Sequence, residues 1–587
     1  MRNIIKMAIF TMIAILFTGA CSSTPGPNSQ LQSLVPDQTV VWIQSGNLNE
    51  FIDRAEALIA AAELDDLMKG KSLRDLIFES AGFDFPAIID LNQPLGFGLL
   101  KIDKQLTKNF YFTATIKNED KIKELLQDNE KVYWKITKNI VELSTHPFDQ
   151  LTFKRHFHLD LADGYEASSL SYVIDFQSLK ENDEFNIDSA FETMDGLVRL
   201  GLMNNSENLG FFTLLYEGFR NLTNDLITET KWVSGSIGIN ELGMYTKGDI
   251  QFTSGGNISQ LLNSLKGLGK IKSLMKYLPQ RSFVSTAISI NNSALQEKLM
   301  DLSLALIEET IENDETLKEY EANLRKMADA LGTQEAFGMQ LDVDFQKLIF
   351  LSQSLDQGSY DAFADVFNLQ GFMAYDLKKD ILFSDLLEEN IELSNTLINS
   401  SQINPSLGDL GITMKVYLDK NREIDGFVFD EMGFIVESEY EENDMSLLFQ
   451  KIFEKLRFYY HQEGKKLYAF VGPGNIEALK AYVANDGLKE KAFDQTAFYQ
   501  KFQEVYPEDY DIFFQFSFSN MFGNLFTNNE LSESSGSPGI LGGITYDQKS
   551  LSSFTLISKE ELATLVYLGN LFQAFATPSL ENAFGDT

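Results

Sequence analysis

The chain has 587 residues, 44% of them hydrophobic, with 48 basic against 85 acidic side chains and a formal charge of −37. That balance excludes nucleic acid as the expected partner, because such binding is dominated by Lys and Arg neutralising phosphates, and the apolar content, with 47 Phe, excludes a disordered chain. A single cysteine excludes an internal disulfide framework, and the length exceeds the roughly 250–300 residues at which one core stops growing, so at least two domains are expected.

In chain order, the first element is Met1–Ser23, MRNIIKMAIFTMIAILFTGACSS. Arg2 and Lys6 form a basic start, Ala8–Phe17 is an uncharged apolar run, and Thr18, Gly19 and Ala20 lead into Cys21. This order predicts a secretory signal over residues 1–20; the run is shorter than the roughly 20 apolar residues of a membrane span. The segment LFTGAC resembles the lipobox of bacterial lipoproteins, which implies that Cys21 is acylated. One acyl chain binds only marginally at about 0.8 kcal/mol per buried CH₂, so the two or three chains of such a lipoprotein make a firm anchor. Residues 21–33, CSSTPGPNSQLQS, then read as the lipidated Cys and a flexible tether. Ser22 after the cysteine, with no acidic residue before Asp37, implies by the same resemblance delivery to the outer membrane on its periplasmic face.

The body shows an internal repeat. Leu34–Phe51 (LVPDQTVVWIQSGNLNEF) is echoed by Tyr277–Leu295 (YLPQRSFVSTAISINNSAL), each a Pro turn, an extended run and Asn/Ser before a helix. In the same order, Pro94–Leu100 is echoed by Glu335–Leu341, Phe110–Leu126 by Gly371–Leu387, Ser169–Leu179 by Asp511–Met521, and Ser234–Asn240 by Gly542–Asp547. Five colinear echoes predict two related halves, 34–275 and 277–587.

Within each half the apolar period alternates. Ile512, Phe514, Phe516 and Phe518 share one face of an extended run, with Asp511, Gln515, Ser517 and Ser519 on the other, which predicts a half-buried strand with its apolar face inward. Val284, Thr286, Ile288 and Ile290 repeat the pattern. Leu317, Tyr320, Leu324, Met327 and Leu331 recur at three and four residues and predict a helix, with Gly332 as its stop. The expected class is α+β, each half a mostly antiparallel or mixed sheet covered by helices on one face.

Chemistry-bearing patterns are sparse. His146, His156 and His158 cluster near Asp149, Asp160 and Asp163, a donor set suited to a transition metal; a strand edge explains the same residues without one. Asp419, Asn421, Glu423 and Asp425 alternate as in a calcium loop, but Ile424 stands where the sharp turn needs Gly, and a hairpin turn accounts for them. Phe470–Asn475 (FVGPGN) precedes an expected helix over Ile476–Val483 without a phosphate-binding glycine pattern, so Asn475 reads as an N-cap. No cofactor and no catalytic residue is predicted.

With its lipobox, polar tether and repeated Pro–strand–helix body, the chain resembles the large uncharacterised envelope lipoproteins of Bacteroidota and related Gram-negative groups. The resemblance implies a location and a duplicated α+β plan. The expected function is therefore a lipid-anchored envelope protein that binds a protein, glycan or lipid partner. The alternative is a hydrolase acting on envelope or imported polymer.

Overall fold

The computed structural model describes residues 34–62, 70–79, 85–101, 108–127, 131–153, 169–181, 224–268, 271–291, 314–343, 347, 366–378, 381–399, 412–438, 444–473, 476–506, 509–521, 538–547 and 549–566. The signal segment, Cys21, the tether, His156, His158 and Asn475 lie outside the described residues. The chain is α+β and its strands pair antiparallel. It forms two compact units, one made of Met1–Met194, Thr228–Ser259 and Gly542–Thr587, the other of Asp195–Ile227 and Gln260–Leu541. No helix among the described residues is long and apolar enough to cross a membrane.

In the first unit, β1 (Thr39–Ser45), β2 (Leu95–Leu100), β3 (Phe110–Thr115), β4 (Tyr133–Thr137), β5 (Ile140–Ser144), β6 (Leu170–Asp175), β7 (Thr230–Asn240) and β8 (Gly243–Phe252) form one ladder. Its order is β4-β5-β3-β2-β1-β6-β7-β8. Antiparallel neighbours need only short connections, and Lys138 and Asn139, at φ 51° and 63°, supply the two-residue turn between β4 and β5. The helix Leu48–Ala61 starts where Asn47 accepts the Glu50 N–H at 3.0 Å while its amide donates to the Glu50 carboxylate, a reciprocal cap. A second helix, Glu119–Leu126, is capped by Asn118 and buries Ile122 and Leu126.

These contacts give the sheet two different faces. On one, Ile122 and Leu126 pack with Ala114, Val141, Trp134 and Ile136. On the other, Trp42, Leu100 and Tyr111 are covered by Val35, Leu151, Phe148 and Phe153, side chains of irregular segments that precede β1 and follow β5. Trp42 lies across Gly96 and Gly98 of the neighbouring strand, where a Cβ at either glycine would run into its ring. Its Nε1–H donates to Gln44 at 2.9 Å, so the fully enclosed indole keeps a partner.

The second unit contains β9 (Lys266–Gly267), β10 (Val284–Asn291), β11 (Leu331–Val343), β12 (Phe367–Leu377), β13 (Ile412–Ile424), β14 (Phe427–Ser438), β15 (Arg457–Glu463), β16 (Lys466–Gly472) and β17 (Ile512–Phe516). Its ladder runs β17-β10-β11-β12-β16-β15-β14-β13, with β9 on the end of β10. Ser285 on β10 stands between Gly338 and Gln515, as Trp42 on β1 stands between Gly98 and Val173. Gly338 in turn faces Phe372, which faces Phe470; Gly98 faces Tyr111, which faces Ser144. After β18 (Ile540–Tyr546), β19 (Ser550–Ser558) closes the first unit's ladder on β8.

Two expectations are corrected. The deeply enclosed side of β17 carries Asp511, Phe513, Gln515 and Ser517, whereas Ile512, Phe514 and Phe516 are half-buried. Likewise Ser285, Ala287 and Ser289, not Val284, Thr286 and Ile288, are the buried set on β10. Both faces of these strands are covered, and the deeper layer mixes Phe513 with small or bonded groups: Gln515 donates to the Pro538 carbonyl at 3.0 Å, and Gly338 leaves no room for a Cβ beside Pro279. The predicted helix is present as Asp314–Ala330, but Leu331 and Gly332 already belong to β11. Gly332 is required by close approach to the Asp376 backbone, and not as a helix stop.

Because the Trp42 ring occupies the space of a side chain at position 96, Gly96→Ala should destabilise the protein by about 1–3 kcal/mol, the usual cost of overpacking. Denaturant unfolding followed by Trp fluorescence measures it; an unchanged midpoint would contradict the packing described.

Candidate functional site

The buried charged groups are the first places to look for chemistry. In the first unit Glu142, 3% exposed, accepts a short hydrogen bond from the Tyr111 hydroxyl and faces Lys135 Nζ at 3.0 Å. Burial, then the bond to Glu142, pushes the Tyr111 phenol well above its ordinary pKa. Lys135 Nζ also stands 4.6 Å over the Phe148 ring. The carboxylate is thus consumed by two partners inside an aromatic layer.

The second unit holds a larger knot. Asp486 lies after the helix Ile476–Ala484 at φ 47°, a left-handed position closed by Gly487 at φ 134°. Its Oδ1 accepts from Tyr277 at 2.7 Å, Tyr468 at 2.7 Å and Lys466 at 2.9 Å, and its Oδ2 from Lys276. Burial raises the carboxyl's pKa, but the bonds from Lys276, Tyr277, Lys466 and Tyr468 outweigh it and hold the group well below the usual carboxylate range. Nearby, Glu431 takes Tyr417 at 2.9 Å and a short bond from Arg422. Each of these carboxylates already serves a cation and a phenol of its own unit.

One pair of carboxyls is tuned apart. Burial pushes Asp249 up, against a hydrogen bond from the Ser552 hydroxyl at 2.5 Å, and the charge of Asp547 adds to the rise. Asp547 moves the other way: burial raises it, but backbone N–H bonds from Lys549 and Ser550, each 2.8 Å, bring it below its ordinary value.

Of the sequence-derived metal candidates only His146 and Asp149 are described; His156, His158, Asp160 and Asp163 lie outside the described residues. His146 Nε2 pairs with the Asn109 side chain at 2.8 Å, and among the described residues no group of three His, Cys, Asp or Glu comes together. Asp419, Asn421, Glu423 and Asp425 belong to the β13–β14 hairpin, whose tip is Asp425–Gly426 at φ 52° and 79°. There Lys480 reaches Asp425, and Lys420 bridges Asp385 and Glu388. A shallow cleft of about 440 Å³ in the first unit is lined by Arg54, Leu58, Ile239 and Lys559, with Arg54 donating to the Ile239 carbonyl and to Glu50.

The two ladder ends are built differently, and neither was singled out from the sequence. At β13, the helix Phe383–Ile398 and the residue after it supply side-chain amides in place of a further strand. Asn395 accepts from the Val416 N–H and donates to the Val416 carbonyl, and Asn399 does the same for Met414, at 2.5–3.3 Å. That closes the edge against further pairing. At β4 the alternation of ladder bonds, set by the turn at Lys138–Asn139, directs Thr137, Lys135 and Tyr133 to β5. Trp134 and Ile136 therefore present N–H and C=O to the outer side, where no described residue pairs with them, and Tyr133 is 46% exposed. The signal in the sequence is KVYWKITKN, a β-forming run with Lys131, Lys135 and Lys138 and no acidic residue before Glu142.

Comparison with known proteins finds no matching family model, no matching curated protein and no matching solved structure.

The Asp486 knot fixes a sign for pH dependence. Its folded pKa lies below the unfolded value of about 3.9, so its contribution is complete above that value and is lost as pH falls through the folded pKa. Asp486→Asn should therefore flatten the acid limb of stability below about pH 4. Urea midpoints of both proteins between pH 2 and 7 check this, and identical acid slopes would contradict it.

Proposed function

We propose that the chain is a lipid-anchored protein of the cell envelope, held at the periplasmic face of the outer membrane through acylated Cys21, and that it acts by binding a protein, glycan or lipid partner. The observation that carries the anchor is the lone cysteine immediately behind a signal core. Supporting the binding role, the buried carboxylates Glu142 and Glu431 and the knotted Asp486 engage phenols and cations of their own unit.

The body is proposed to be two copies of one module, residues 34–275 and 277–587. What supports this is shared ladder order: β4-β5-β3-β2-β1-β6 in one and β15-β16-β12-β11-β10-β17 in the other, built from the same chain order of elements. The match extends to single turns. Phe148–Gln150 and Phe493–Gln495, both FDQ, form 3₁₀ turns at corresponding places. Each turn's segment bonds the Pro-containing segment before the central strand, through Asp37 to Thr152 and through Phe493 to Leu278. The second module differs by the inserted β13–β14 hairpin.

If Cys21 is the lipid carrier, Cys21→Ser should leave the precursor uncleaved or release the protein from membranes. Fractionation and intact-mass measurement of the product test it; normal maturation and membrane retention of the variant would defeat the anchor.

A second reading, hydrolysis of an envelope or imported polymer, is favoured by one observation, the opposed shifts of Asp249 and Asp547, since acid and base roles need carboxyls tuned apart. On that reading, turnover found in a screen of glycans, peptidoglycan and esters should fall at least about 100-fold in Asp249→Asn. Turnover indifferent to both Asp249→Asn and Asp547→Asn would remove it.

A further inference from the structure

We propose that the outer edge of β4 is a strand-capture site that takes an acidic, extended polypeptide segment from a partner, pairing antiparallel through the backbone of Trp134 and Ile136. The proposal rests on reading the chain as a binding protein and names the site and partner class.

Geometry comes first. Thr137 closes the two-residue turn against Ile140, so bonded pairs fall at Thr137, Lys135 and Tyr133, and the intervening Trp134 and Ile136 direct their ladder groups away from β5. The side chains of Trp134 and Ile136 pack into the helix-covered layer, which fixes the strand in place before anything docks. An edge so held is pre-organised, and main-chain bonds to an added strand supply affinity.

The second unit carries an occupant at the corresponding place. There β15 and β16 are joined by a two-residue turn and pair Glu463 with Lys466 and Tyr459 with Phe470, as β4 and β5 pair Thr137 with Ile140 and Tyr133 with Ser144. Tyr460 thus matches Trp134, and Tyr460 is bonded on its outer side by Asp430 of β14. The segment Phe427–Ser438, FVFDEMGFIVES, bears Asp430, Glu431 and Glu437 and no basic residue. It is an acidic, aromatic strand on that edge.

Charge selects between occupants. In a chain with a formal charge of −37, residues 131–139 carry Lys131, Lys135 and Lys138 and no acidic residue, with Glu130 just before them and Lys135 already paired to Glu142 on β5. Antiparallel pairing of β4 with a second copy centred on Lys135 would set that lysine against its own copy, and like charges directly opposite are destabilising. An acidic segment meets the lysines favourably. Among the described residues no Pro, bulge or helix protects this edge; its lysines are the protection it carries, and they disfavour self-pairing, whereas β13 has its asparagine clasp.

The test uses the full mature chain and a synthetic peptide of sequence FVFDEMGFIVES, with a control in which its three acidic residues are Lys. Amide exchange at Trp134 and Ile136 is read by NMR or mass spectrometry across a peptide titration at low and high salt. Protection of those two amides by the acidic peptide, weakened by salt and absent with the lysine control, is the expected result. Ile136→Pro, which removes an outward donor, should abolish it. Lys131→Glu with Lys138→Glu, which leaves the backbone edge intact, should weaken binding about three- to tenfold. No protection at millimolar peptide would overturn the proposal. Equal protection by both peptides would also overturn it, as would concentration-dependent protection without peptide, the mark of a second copy. Failure of capture leaves membrane anchoring through Cys21 standing, and loss of anchoring in the cysteine variant leaves capture to be judged on these amides alone.

Discussion

Each unit depends on one strand that bonds a neighbour along both edges while something lies flat on the sheet beside it. For β1 the neighbours are β2 and β6, and the overlying group is its own Trp42 across Gly96 and Gly98. For β10 they are β11 and β17, and Pro279 presses on Gly338. A missing Cβ is the condition for this contact, because interiors pack at crystal-like density and a side chain there would have to displace a ring. Central pairing then explains why small polar residues, Ser285 and Ser289, sit on the most enclosed side.

Burial on both faces brings charged groups into low-dielectric surroundings, where an unpaired carboxylate is costly. The response is local saturation. Glu142 takes Tyr111 and Lys135 and Glu431 takes Tyr417 and Arg422, while Asp486, whose side chain stays 51% accessible, takes two phenols and two ammonium groups. An acidic excess of this size favours self-repulsion.

The ladder ends then carry the difference between the units. One is extended by the hairpin of β13 and β14 and finished by Asn395 and Asn399, whose amides reproduce the donor and acceptor spacing of a strand. The other stops at β4, a strand whose apolar side chains are anchored in a core while its outer backbone faces away from it. Among the described residues, one ladder thus ends on a side-chain clasp and the other on a strand with no outer partner.

The sequence by itself determined the class and the alternation, and it carries the lipobox-like stretch on which the proposed address rests. A signal core ahead of one cysteine, period-two runs such as Ile512–Phe518, and the three- and four-residue spacing from Leu317 to Met327 follow from local chemistry, and the α+β class with antiparallel strands followed from them. It did not determine which face of a strand lies deeper. Apolar alternation says that a face is buried, yet β10 and β17 are covered on both sides, and the deeper side carries Phe513 together with Ser285, Ala287, Ser289 and Gln515. Nor did it find the Asp486 knot or the β4 edge. Lys276, Lys466 and Asp486 meet only because the segment before β10, the start of β16 and a helix end converge. Whether a strand is an edge depends on what the rest of the chain leaves beside it, which no local pattern encodes.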